Sequence, residues 1–128
     1  MSAIIAPQTI NIQIPGTLAT SSIATMVMPF KGVITDAYLA VTTAPVGSAL
    51  TADLKVGSDV AAAFSIADAA TSDQGTLTAA NVDFAKGALV SLDVSAIGSD
   101  TAGANAVVTF TVVESSEATH TADPSYND

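Results

Sequence analysis

Between Ala44 and Val113 the sequence is a succession of short apolar-alternating segments cut by turns rich in Gly, Ser, Asp and Thr. Side chains along a strand point alternately to opposite faces, so such alternation over a few residues marks a strand with one buried face. Leu50, Ala52, Leu54 and Val56 alternate with Thr51, Asp53 and Lys55, and Ala88, Val90, Leu92 and Val94 alternate with Leu89, Ser91, Asp93 and Ser95. From Ala106 to Val113, Val108, Phe110 and Val112 face away from Val107, Thr109, Thr111 and Val113. No apolar stripe of 3.6-residue period has convincing length, which argues against a helical domain.

The same reading extends towards the N-terminus. Ile10, Ile12 and Ile14 alternate with Thr9, Asn11 and Gln13, predicting a half-buried strand closed by a turn at Pro15-Gly16. Ile23 to Met28, stopped by Pro29, is a second run, and Val33 to Val41 a third. Val60 to Ile66 is ambiguous, because its Ala-rich centre suits a helical turn as well as a strand. Ser72-Asp73-Gln74-Gly75 reads as loop, and Val82 to Phe84 begins a further short strand. These segments predict an all-β, single-domain antiparallel β-sandwich of jelly-roll type with about eight strands.

A chain of 128 residues is one domain's worth and can bury one sizeable core. Since 49% of residues are apolar but only 5% aromatic, with no Trp, that core must be filled by Ala, Val, Ile and Leu. Small aliphatic side chains suit the thin interior between two sheets. With no Cys, stability has to come from packing or from association between copies.

Charge excludes whole classes of partner. Lys31, Lys55 and Lys86, with no Arg, stand against ten Asp and two Glu, for a net charge of -9. Nucleic-acid affinity depends on Lys and Arg neutralising phosphates, and three dispersed lysines cannot supply it. An anionic membrane surface is ruled out on the same ground. Met-Ser-Ala-Ile-Ile-Ala at the start lacks the basic opening of a secretory signal, and no apolar run approaches the ~20 residues of a spanning helix. A soluble chain made without a secretory signal is expected. Domain limits follow from composition: residues 1–8 as an N-terminal arm, 9–113 as the sandwich, and 114–128, with four acids and no base, as a flexible acidic tail.

No catalytic or cofactor-binding set emerges. His120, the one imidazole, lies in the acidic tail without a nucleophile motif beside it, so a triad is implausible and an enzyme is not expected. Asp53 and Asp93, on the polar phase of their strands, could meet a Ca²⁺, but no D-x-D-x-D-G loop is present and pairing with Lys55 or solvation is the better account. Ser99-Asp100-Thr101-Ala102-Gly103 lacks the Gly-Lys-Thr ending of a phosphate loop. Neither metal nor cofactor is expected.

Four stretches, in order, resemble a known module. Ala44-Pro45-Val46-Gly47, running through Leu50, Asp53-Leu54-Lys55 and Gly57, is similar to the opening of a jelly-roll module common in tailed-bacteriophage virion proteins. Ile66-Ala67-Asp68-Ala69-Ala70-Thr71-Ser72 resembles the loop that follows there. Phe84-Ala85-Lys86-Gly87, Leu92-Asp93-Val94, Ile97-Gly98-Ser99 and Ala102-Gly103-Ala104 resemble its next strand and turn, and Val107 to Val112 its closing strand. The resemblance covers a little over half the chain. It implies a virion structural protein of capsid-decoration, head-fibre or tail-fibre type, often homotrimeric. A short chain with no fibre shaft favours a decoration (cement) protein on the outer capsid, with the major capsid protein as partner. The alternative is a fibre or receptor-binding module for host-surface glycan, against which the scarcity of aromatic residues counts. Candidate capsid or inter-subunit contacts are Ile4, Ile5, Ile10, Ile12, Ile23, Met26 and Met28, which lie outside the matched stretches and include adaptable methionines. The competing expectation is that Ile23 to Met28 and the strand before it are ordinary core strands.

Overall fold

Alternation of β-branched and small apolar residues with Thr, Ser, Asn and Asp produces strands along the whole computed structural model, which describes residues 7–115. In chain order these are β1 (Pro7–Thr17), β2 (Ile23–Val27), β3 (Gly32–Ala40), β4 (Leu50–Val56), β5 (Asp59–Ile66), β6 (Ser72–Gln74) and β7 (Thr76–Leu77). A single 3-10 turn at Ala79–Asn81 precedes β8 (Asp83–Phe84), β9 (Leu89–Ile97) and β10 (Ala104–Glu114).

One sheet has the order β1-β10-β3-β6, with β8 also paired to β3, and the other the order β2-β9-β4-β5-β7. Every pairing is antiparallel. The chain crosses between sheets at every connection except β4–β5, which winds it as a jelly roll. Eight strands make the two four-stranded layers, and the short β7 and β8 extend them to ten, so the expected all-β antiparallel sandwich is present with two strands more than the eight expected.

The interior is built from the inward phase of each strand. Ile12, Ile34, Leu39, Val108, Phe110 and Val112 from the first sheet meet Leu50, Leu54, Phe64, Val90, Leu92 and Val94 from the second, all buried. Five buried alanines, Ala37, Ala52, Ala61, Ala62 and Ala106, let the layers approach closely. Phe30 and Phe84 stack at a tilt with ring centroids 5.9 Å apart and close the lower end, where β1 starts and β2 ends.

Several local expectations are corrected. β1 begins at Pro7, so Pro7 and Gln8, assigned to the arm from sequence, pair with Val113 and Val112. Pro15-Gly16 is a bulge within β1 rather than a turn. Ile14 pairs with Ala106 and Thr17 with Ala104, leaving one extra residue on β1. Asn105 holds that bulge, since its Oδ1 accepts from the Gly16 N–H at 2.7 Å while its Nδ2 donates to Thr42 Oγ1 at 2.8 Å. The stretch read as loop at Ser72–Gln74 is β6, paired with Ala40 to Tyr38 of β3 and tied by Asp73 Oδ2, which accepts from Ser65 N–H at 2.9 Å. The ambiguous Ala-rich segment is β5. A bulge puts both Ala61 and Ala62 inside, and this is what broke the alternation.

Candidate binding surfaces

Each sheet turns one face to solvent, and the two faces differ in chemistry. On the β1-β10-β3-β6 sheet the outward phase of β1 is Thr9, Asn11 and Gln13, because Ile10, Ile12 and Ile14 point inward. Register carries this polarity across four strands: Asn11 is opposite Thr109, Thr109 opposite Tyr38, and Tyr38 opposite Gln74. With strands ~4.8 Å apart, the row spans about 14 Å. Tyr38 stands in it with 48% of its surface exposed. Asp36, in the adjacent row with Thr111 and Thr9, accepts from Gln74 Nε2 at 3.2 Å and from the Ala37 N–H at 2.9 Å. The result is a flat surface of hydroxyls and amides around one aromatic ring.

The outer face of the second sheet is organised by a charge cluster and an apolar margin. Asp53 of β4 and Asp93 of β9 are directly opposite one another. Like charges so placed repel, and Lys55, two residues along β4, relieves this through Nζ, which donates to Asp93 Oδ2 at 2.9 Å. The Lys55 ammonium is held above its ordinary pKa, first by that hydrogen bond and next by the charge of Asp93. Desolvation opposes them, and the charge of Asp53 adds a smaller push in the same direction as Asp93. The pairing of Lys55 with Asp93 agrees with the sequence reading. Among the described residues no group of three or more His, Cys, Asp or Glu is arranged to hold a metal ion.

Beside that cluster the margin is apolar. Val27 of β2 and Leu89 of β9 are cross-strand partners and are 57% and 53% exposed, and Ile23 at the other end of β2 is 57% exposed. Among the described residues β2 is the edge of its sheet, with only β9 beside it.

The candidate contacts named from sequence separate accordingly. Ile23 presents itself to solvent. Ile10 and Met26 are half-buried against the core, whereas Ile12 and Met28 belong to it, Met28 being fully buried. Met28 is fixed at both backbone groups, its N–H donating to Ala88 O at 2.9 Å and its carbonyl accepting from Gly87 N–H at 2.7 Å. Packing, the competing expectation, therefore accounts for Ile12 and Met28. Ile4, Ile5 and His120 lie outside the described residues. Sequence reading missed Val27 as a surface residue because both phases of β2 are apolar, and Thr25, outward between Ile23 and Val27, is the one polar residue that fixes the phase, whereas Leu89 already stood on the polar phase of its strand.

No protein-family model matches this sequence, and no curated protein matches it either. Among solved structures, the fold is similar to a chain of the cyanophage Pam1 capsid asymmetric unit, with a TM-score of 0.53 and 17% sequence identity. The similarity covers 87% of this chain and 85% of that one, so it embraces both sheets rather than a shared hairpin.

Proposed function

We propose that this chain is a structural protein of a bacteriophage virion, and within that class a decoration (cement) protein that binds the outer surface of the capsid and stabilises the head. The observation that carries the reading is the jelly roll it shares, over nearly its full length, with a chain of the cyanophage capsid asymmetric unit. The resemblance of the Ala44–Val112 region to virion jelly-roll modules points the same way. A single compact sandwich with bonded bulges and a filled core suits a role in which the surface does the work. The partner is the major capsid protein, the location is the virion exterior, and the chain acts as a homotrimer seated at three-fold positions of the shell. Residues 1–6 serve as an arm and the segment after Ser115 as an acidic tail.

Mixing the purified chain with heads that lack it tests this. Co-sedimentation with the shell, together with a higher temperature for loss of packaged DNA, is expected. A chain that stays in the supernatant at saturating concentration counts against the assignment.

A second reading, a fibre or receptor-binding module for host-surface glycan, is favoured by the row Asn11–Thr109–Tyr38–Gln74. Sugars are held by an aromatic ring stacked on their apolar face and by amides and hydroxyls at its rim, and this row offers both. Retention of the chain on immobilised host polysaccharide, lost on Tyr38→Ala without change in the circular dichroism spectrum, supports that reading. Equal retention of wild type and variant removes it.

A further inference from the structure

The open edge of a sheet exposes a row of backbone N–H and C=O groups, and proteins blunt such edges with proline, charge, bulges or brevity. Among the described residues β1 has Pro7 at one end and the Pro15-Gly16 bulge at the other. β6 and β8 are short and contain Asp73 and Asp83, and β7 is two residues long. β2 has none of these devices. Its five residues, Ile-Ala-Thr-Met-Val, hold no proline, glycine or charge, and they pair with β9 without a register shift. The pairing also decides which of its backbone groups are open. Val94 N–H donates to Ser22 O at 2.9 Å and Met28 N–H to Ala88 O at 2.9 Å, so Ser22 and Met28 turn their backbone groups to β9. Hydrogen-bonded pairs recur at every second residue of an antiparallel ladder, so Ala24 and Met26 do the same. Ile23, Thr25 and Val27 therefore aim N–H and C=O at the open side, and the same three residues hold their side chains exposed on the outer face.

We infer that β2 of one copy of this chain pairs antiparallel with β2 of a second copy about a two-fold axis at Thr25, joining the two β2-β9-β4-β5-β7 sheets edge to edge. Only this register engages all three open residues of both edges. Thr25 exchanges hydrogen bonds with its own copy, Ile23 exchanges them with Val27 of the other chain at each end, and none of these backbone groups is left over. The apolar margin closes in the same step. Ile23 comes to lie across from Val27 of the other copy, with Leu89 behind that valine, so every exposed apolar side chain of the margin gains an apolar neighbour. Symmetry and charge select a second copy as the occupant. A two-fold contact must be complementary to itself, and Ile23 and Val27, placed evenly about Thr25, match in chemistry and in exposure. Copies that each carry a net charge of -9 repel, and they meet at least cost where charge is absent. β2 is uncharged, and in the paired arrangement Asp93 and its copy are ~20 Å apart, about two Debye lengths at physiological salt. Five residues a side is well below the ~20–30 of a stable complex, so the pairing is weak between free copies and strengthens where copies are held side by side. Being two-fold, the contact does not build the trimer proposed above but links a copy in one trimer to a copy in the next. It rests on the sandwich and not on the capsid.

The chain has no cysteine, so single introduced cysteines report the register without ambiguity. Residues paired across the ladder have Cα atoms ~5.5 Å apart, within disulfide reach, whereas Ile23 and its own copy are about 14 Å apart. On oxidation of the full chain, Thr25→Cys should form disulfide-linked dimers. Ile23→Cys mixed with Val27→Cys should do the same, while neither of them does so alone. Ser65→Cys, exposed on the β5 side of the same sheet, is the control. In sedimentation equilibrium the mass of the unaltered chain should double between about 10 μM and about 1 mM. Thr25→Pro removes an N–H that β9 does not use, and Val27→Lys is an exposed substitution. Both should abolish the rise in mass with an unchanged circular dichroism spectrum. Thr25→Cys linking no faster than Ser65→Cys, Ile23→Cys linking alone as well as in the mixture, or a mass that does not rise or rises equally in both variants would each overturn the inference. Shell binding by variants that no longer pair leaves the virion assignment standing, and pairing without shell binding leaves this contact standing.

Discussion

Met28 and Ile23 are five residues apart in one apolar run, yet the structure assigns them opposite duties, and the difference is large enough to measure. Met28 is fully buried, with both backbone groups bonded to the Gly87–Ala88 turn, so Met28→Ala keeps the backbone and removes only packed atoms. Truncating a fully buried Met to Ala costs about 2–5 kcal/mol, combining lost transfer energy with the cavity left behind. Against the ~5–15 kcal/mol that holds a domain of this size together, that is a large share of the total. With a urea dependence of about 2 kcal/mol per molar, the unfolding midpoint should fall by roughly 1–2.5 M. Ile23 is 57% exposed, and Ile23→Ala should change stability by no more than ~0.5 kcal/mol. Urea unfolding followed by circular dichroism, repeated at two protein concentrations to separate folding from association, measures both. A loss below ~1 kcal/mol for Met28→Ala, or equal losses for the two variants, would refute the placement of β2 and its phase.

Lys55→Met should leave Asp53 and Asp93 facing each other unrelieved and lower stability at neutral pH. Because the folded-state pKa of Lys55 lies above its unfolded value of about 10.4, the pair's stabilisation is complete below that pH and is lost as pH rises through the raised value. The stability gap between wild type and Lys55→Met should therefore hold below about pH 10.4 and close as the pH is taken above it, and a constant gap contradicts the pairing. Gly32→Ala places a Cβ 2.6 Å from the Val113 carbonyl oxygen of the paired strand and 2.8 Å from Phe84 Cζ, and should cost about 1–3 kcal/mol in thermal unfolding. Gly98, at φ +103°, has the Thr101 carbonyl against the site of any Cβ, so Gly98→Ala should destabilise by a similar amount through backbone strain, and a neutral result at either glycine counts against the local geometry.

Legibility from sequence followed the regularity of alternation. β4, β9 and the second half of β10 alternate cleanly and were readable residue by residue, as was the pairing of Lys55 with a neighbouring strand acid. Bulges defeated the same reasoning, since one extra residue reverses the phase and makes a strand resemble a turn or a helix. Pro15-Gly16 imitates hairpin chemistry but is accommodated by Asn105, 89 residues away, which no local pattern reveals. Ala61-Ala62 hid β5, and the extra residue Thr35 separates buried Ile34 from buried Ala37 in β3. Candidate surfaces were harder still. The row Asn11–Thr109–Tyr38–Gln74 joins four segments distant in sequence and exists only through register. Exposure of Val27 follows from the outward phase of β2, which Thr25 alone marks in an otherwise apolar run.

Binding of the chain to the outside of the capsid is the central claim, and electron cryomicroscopy of heads incubated with and without it is the most direct measurement. The account predicts added density of one jelly roll per copy, grouped at three-fold positions on the outer surface, and heads that withstand higher temperature. Heads that remain bare at saturating chain concentration, with no change in their thermal stability, would contradict it.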